Sequence, residues 1–164
     1  MISLPSICFI SFAGKCSQIP ANSPNPSVSG ASVDPYNSKC VRATAGSLFH
    51  LPVVAGVPLA ESVPALRGAG LRVLAADGGA LSRLDEPEPA ARLGLPTAWL
   101  FGNEAWGLPA DLLALADEAV AVPIYGRAES LNLAAAAAVC LYASARAQRA
   151  GSQSAQAGIS PPAA

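Results

Sequence analysis

The sequence predicts an α/β protein with a parallel sheet flanked by helices, and three observations predict it. Short strand-like runs recur at Leu51–Val54, Leu71–Ala76, Thr97–Phe101 and Ala119–Ile124. Segments of helical character lie between and after them, the last containing the unbroken alanine run Ala134–Ala138, a strong helix former. Glycines at Gly78-Gly79 and Gly102 end two of the runs. Strands joined by helical crossovers lie parallel, and a parallel sheet is covered by helices on both faces.

In chain order, Asp34-Pro35-Tyr36-Asn37 forms a turn that caps a helix starting near Ser38 and running through Val41 and Ala45 towards Phe49. Leu51–Val54 follows as a short strand. Leu59–Arg67 reads as a helix against the resistance of Pro64, which lacks an N–H, and Gly68-Ala69-Gly70 supplies its stop. Leu71–Ala76 is a buried strand that turns at Asp77-Gly78-Gly79, and Thr97–Phe101 is a second buried strand. Pro109 suits the first turn of a helix over Leu108–Leu115. Ala119–Ile124 is a strand, and Ser130–Arg149 is the long final helix.

The ends differ from this pattern. Ile2 to Phe12 is mildly apolar, and Ser17 to Gly30 is rich in Ser, Pro and Asn without periodicity, a composition that cannot bury enough surface to fold alone. A secretory leader places basic residues before its apolar run, whereas Lys15 follows it. The organisation expected is a disordered segment 1–30, a folded domain over 31–149 and a disordered tail 150–164.

Composition narrows the function. The chain has 164 residues, 52% of them hydrophobic, and a net charge of −1. No apolar stretch approaches the roughly 20 residues that span a bilayer, so no membrane partner is expected. A generic basic nucleic-acid binder would be strongly positive, so if RNA is the partner, contact is expected from a local cluster of arginines or from a segment outside this sequence. Cys8, Cys16, Cys40 and Cys140 form no C-x-x-C pair. With one histidine, they point to reduced thiols rather than a zinc site or a disulfide framework.

Open parallel sheets bind ligands beyond the carboxyl ends of their strands, and two segments qualify. Trp99-Leu100-Phe101-Gly102-Asn103-Glu104-Ala105-Trp106-Gly107-Leu108 leads a strand into a glycine-flanked loop carrying Glu104. Val122-Pro123-Ile124-Tyr125-Gly126-Arg127-Ala128-Glu129-Ser130-Leu131-Asn132 leads a strand through a loop to a polar helix N-terminus. Either segment, taken singly, is also an ordinary strand-to-helix turn with a capping group. Neither holds G-x-G-x-x-G or a G-K-[ST] phosphate loop, which disfavours a dinucleotide or a nucleoside triphosphate and leaves another adenosyl ligand.

Leu100-Phe101-Gly102-Asn103-Glu104-Ala105-Trp106-Gly107-Leu108 resembles the second motif of the SpoU RNA methyltransferases. Val122-Pro123-Ile124 with Glu129-Ser130-Leu131-Asn132-Leu133 resembles their third, in the same order and spacing. Asp34-Pro35-Tyr36-Asn37-Ser38-Lys39 and Val41 to Pro52 resemble the segment that precedes them. The resemblance covers Ser32 to Arg149. It implies a sheet whose C-terminal part forms a deep trefoil knot, an exception to the rule against knots. It also implies a cytoplasmic homodimer that transfers a methyl group from S-adenosyl-L-methionine to a ribose 2′-hydroxyl of RNA, rRNA first and tRNA next. By position, Gly102, Val122 and Leu131 hold the cofactor, while Glu104, Ser130 and Asn132 support the pocket or position the RNA.

Such a transfer aligns two substrates for in-line displacement and requires help for the hydroxyl to lose its proton, with no metal. The family assigns the proton to an arginine in its first motif, and nothing upstream of Ser32 matches that motif. The domain is therefore expected to join the family pattern partway, and a non-catalytic remnant retaining the cofactor pocket and dimer interface is the alternative. Ala105 stands where the family has a second glycine, and Leu133-Ala134 replaces Val-Ser. Arg42 and Arg127 are candidates for RNA phosphate or are solvated surface groups. His50 fits a packed or capping role better than a base. Trp99 and Trp106 offer stacking faces, although strand spacing places Trp99 in the core.

Overall fold

The computed structural model describes residues 9–13, 27–28, 36–50, 53–55, 59–86, 93–102 and 107–157. Seven strands form one sheet: β1 (Phe9–Ala13), β2 (Ser27–Val28), β3 (Val54–Ala55), β4 (Arg72–Ala76), β5 (Ser82–Arg83), β6 (Thr97–Phe101) and β7 (Glu118–Ala121), in the order β3-β2-β1-β6-β4-β7-β5. Among the described residues the helices are α1 (Ser38–Ala43), α2 (Leu59–Gly68), α3 (Ala110–Leu113) and α4 (Leu133–Ala157), with a 3₁₀ turn at Ser47–His50.

The four strands β6, β4, β7 and β5 are mutually parallel. Of these, β4, β6 and β7 were expected and β5 was not. The strand expected over Leu51–Val54 is met only at Val54, in β3 at the far edge of the sheet beside β2. The whole sheet is mixed, however, because β1 lies antiparallel to both β2 and β6. Residues 1–30 were expected to be without structure, yet Phe9–Ala13 pairs along all of β6, from Phe9 opposite Phe101 to Ala13 opposite Thr97. The open edge of β6 gives this segment the hydrogen-bonding partners it cannot supply alone. At the other end, α4 continues to Ala157, past the expected end at Arg149.

The central strands are apolar on both faces. All five residues of β6 are buried, and so are Val73, Leu74 and Ala75 of β4. Alternation by two sends Val73, Ala75, Ala98 and Leu100 to one face, where they pack with Leu59, Val63 and Leu66 of α2. Leu74, Trp99, Phe101 and Val120 face the other way, against Cys140 and the small or apolar face of α4. Trp99 is a core residue: it stacks on Phe101 with ring centroids 6.1 Å apart, and its indole N–H donates to the buried Ser144 Oγ at 2.9 Å.

Helix α2 buries Leu59, Ser62, Val63 and Leu66, the i, i+3, i+4, i+7 pattern of one face, while Pro64 lies on the exposed face. Its end is a Schellman motif: Gly70 has φ +80°, its N–H donates to the Arg67 carbonyl, and the Leu71 N–H donates to the Leu66 carbonyl. The single helix expected over Ser38 to Phe49 is instead broken. Asn37 caps α1 by accepting from the Lys39 and Cys40 N–H groups, and positive φ at Ala45 and Gly46 ends it before the 3₁₀ turn. Strand β7 stops at Ala121, short of the expected Ile124, and α3 is only the middle of the helix expected over Leu108–Leu115.

Candidate functional site

A cavity of about 180 Å³ opens at the carboxyl ends of β4, β6 and β7. From β4 and its turn come Ala76, Asp77 and Gly78; from β6, Phe101 and Gly102; from the segment after β7, Val122 and Ile124. Glu129, Ser130 and Leu131, leading into α4, close the far side with Leu133. This is where an open parallel sheet presents backbone groups released from strand pairing.

Gly102, Val122 and Leu131 all line the cavity, as does Ser130. The two motif segments, some twenty residues apart in the chain, therefore meet across one space. Gly102 has a further reason to be glycine. A Cβ there would overlap the carbonyl carbon and oxygen of Gly107 and the nitrogen of Leu108, so its first demand is set by the chain's own returning loop. Gly107, at φ +66°, and Gly126, at φ +134°, take conformations that side-chain-bearing residues avoid. Leu131 remains 38% exposed at the rim, an apolar side chain with room for a partner.

Asn132 is exposed and does not line the cavity: its Oδ1 accepts from the Ala134 N–H at 3.0 Å and caps α4. Glu104 and Trp106 lie outside the described residues. Arg127 is exposed in the loop before Ser130, and Arg42 is exposed on α1; neither lines the cavity. His50 is exposed in the 3₁₀ turn. Asp77, Gly78 and Ile124 were missed as site residues. The signal for the first two was present, because Asp77-Gly78-Gly79 ends a buried strand of a parallel sheet. Ile124 looked like the end of a strand.

The titratable groups among the described lining residues are Asp77 and Glu129, both acidic. Apolar walls with carboxylates at the edge suit a flat aromatic ligand that carries positive charge and offer nothing to a phosphate. Among the described residues, no group of three His, Cys, Asp or Glu is placed to hold a metal ion. None of the described helices is long and apolar enough to cross a membrane.

Fold and site together define an α/β protein with a small-ligand pocket at the carboxyl edge of a parallel sheet. The family model of the SpoU rRNA Methylase family matches residues 27–142, and the chain belongs to that family of RNA 2′-O-methyltransferases. Over 109 residues it is 39% identical to the 23S rRNA (guanosine(2553)-2′-O)-methyltransferase of Bacillus subtilis, covering 66% of this chain and 42% of that protein. Over 51 residues it is 51% identical to the tRNA (guanosine(18)-2′-O)-methyltransferase of Thermus thermophilus, covering 31% of this chain and 26% of that one. The crystal structure of the SpoU methyltransferase AviRb from Streptomyces viridochromogenes, in complex with the cofactor AdoMet, superposes with a TM-score of 0.65 at 36% identity. That match covers 76% of this chain and 49% of AviRb. The chain thus spans about half or less of the length of these relatives.

Proposed function

We propose that the protein binds S-adenosyl-L-methionine in this cavity and transfers its methyl group to a ribose 2′-hydroxyl of RNA, with rRNA the first substrate class and tRNA the second. The observation that carries the reading is the meeting of Gly102, Val122, Ser130 and Leu131 around one cavity in a chain of this family. The donor's positive sulfonium and ammonium groups fit a lining whose charged members, among the described residues, are Asp77 and Glu129. Val122, Ile124 and Leu131 form the apolar wall for adenine, and Gly102 keeps the loop wall closed. When bound, the donor supplies a methyl group on a good leaving group.

The chain's own task is alignment, exclusion of water and handling of the hydroxyl proton. Ser130, at the cavity, and Glu104, two residues after Gly102 in the sequence, are the side chains we assign to positioning the ribose. Asn132 fixes the start of α4, so that Ser130 and Leu131 keep their place. Arg42 and Arg127 are assigned to RNA phosphates.

Two features of assembly belong to the same proposal. Residues 77–81 link β4 to β5 across β7, which pairs with both. A short link straddling a strand supports a trefoil knot in this half of the chain. The exposed strip of Val139, Tyr142 and Arg146 on α4 supports a homodimer. The working compartment is the cytoplasm, where the RNA is.

The test has two parts. Calorimetry with S-adenosyl-L-methionine should show saturable binding that weakens on replacing Val122 or Leu131 with Asp. Transfer of labelled methyl to rRNA or tRNA, followed by nuclease digestion, should place the label on a 2′-O-methylribose. Binding without transfer would replace this reading with the non-catalytic one, in which the cofactor pocket and dimer interface persist. No binding would end both.

A further inference from the structure

Tyr125 lies between Ile124, which lines the cavity, and Gly126. It is 81% exposed but not loose. Its hydroxyl donates to Asp85 Oδ2 at 2.6 Å, and Asp85 accepts from Arg83 Nε at 3.1 Å on its other oxygen. The hydrogen bonds from Arg83 and Tyr125 hold the Asp85 carboxyl down at about 2, so the acceptor is ionised at neutral pH. The same bond raises the Tyr125 phenol, which stays a donor. The ring is thus tethered at its oxygen, while it belongs to neither core cluster. An aromatic side chain held in one orientation and left in water has already lost part of the entropy that stacking costs.

Charge indicates what would cover it. A chain of net charge −1 offers little general attraction to a polyanion, so contacts that need no charge add affinity beside local arginines, and stacking of unpaired bases on aromatic rings is the main one. Asp85 beside the ring is neutralised by Arg83 at 3.1 Å and does not repel phosphate. Arg127, two residues along the same loop, is exposed and makes no ion pair among the described residues.

Building on the function proposed above, we propose that Tyr125 is a stacking platform for an unpaired RNA base next to the nucleotide presented to the cavity. The Tyr125–Asp85–Arg83 chain holds the platform, and Tyr125 acts by binding RNA, not by holding the methyl donor. The test measures the affinity of the full chain for a short fluorescein-labelled single-stranded RNA of mixed sequence, beside calorimetry with S-adenosyl-L-methionine. Tyr125→Ala and Tyr125→Leu should each weaken RNA binding about 5- to 150-fold, the range for loss of one stacked base. Tyr125→Phe, which keeps the ring, should stay within about threefold, a loss below that of a stacked base. All three should bind the methyl donor as the wild type does, and circular dichroism should show them folded.

Wild-type RNA affinity in both the Ala and Leu variants would overturn the platform and leave the methyltransferase reading standing. Loss of methyl-donor binding in all three would make Tyr125 a latch for the pocket loop and also overturn it. A wild-type chain that binds neither RNA nor the methyl donor would defeat the function reading itself.

Discussion

A methyl group on Gly102 would fall on the carbonyl of Gly107 and the nitrogen of Leu108, both backbone atoms that cannot swing aside. Gly102→Ala must therefore push the loop away from β6. Overpacking of this kind costs about 1–3 kcal/mol, and it moves a wall of the cavity. The expected result is a lower urea midpoint together with at least tenfold weaker methyl-donor binding by calorimetry; an unchanged midpoint would mean that the loop yields freely. Cys140 makes a second residue-scale case. It is fully buried under the sheet, and burial pushes its thiol up to about 12. At pH 8 iodoacetamide should leave Cys140 unmodified in the folded protein and alkylate it in denaturant, as read by peptide mass mapping. Alkylation of the native chain at Cys140 would show that α4 lifts from the sheet.

Elements are tied together by a few polar side chains at strand ends, and Asp117 is the clearest. Its carboxylate accepts from Arg67 of α2 at 2.6 Å and from the Val73 N–H of β4 at 2.7 Å, just ahead of β7. Burial pushes its pKa up, but the Val73 N–H and the Arg67 guanidinium outweigh burial, and the net shift is down. A carboxyl lowered on folding contributes stability above its unfolded pKa of about 3.9, lost as pH falls through the folded value. Asp117→Asn should therefore lower the thermal midpoint at pH 7, and the gap to wild type should close as pH is lowered below about 4. A gap that is constant with pH would assign the effect to shape instead of charge. Glu118 next to it joins three strands, accepting from Arg72 of β4 at 2.8 Å and from Ser82 of β5 at 2.7 Å. Neither link was legible in the sequence, because partners 36 to 50 residues apart leave no local pattern.

For the molecule as a whole, the near-zero net charge makes a prediction about salt. Each phosphate contact contributes a slope of about −0.7 to log K against log salt on single strands. RNA affinity of this chain should fall only shallowly with salt, and Arg127→Ala should remove about one such contact, while Tyr125→Ala lowers affinity at unchanged slope. A steep wild-type slope would reveal a basic surface that the described residues do not show.

The centre of the sheet and its edge mark how far the sequence was legible. The parallel strands β4, β6 and β7, α2 with its Gly70 stop and the two cavity-forming segments were all legible, because each rests on a local signal: an apolar run, a helical face, a glycine after a strand. The edge strand Phe9–Ala13 was not, since only the open side of β6 makes a strand of a segment that cannot fold alone. The sequence by itself determined the parallel α/β sheet, the family and the residue types of the pocket. Tertiary structure alone decided that Asp77 and Gly78 join Gly102, Val122 and Leu131 around one space, and that Tyr125 is tethered and bare beside it. The physical reason is that backbone preference is written locally, whereas a cavity is made where distant strand ends meet.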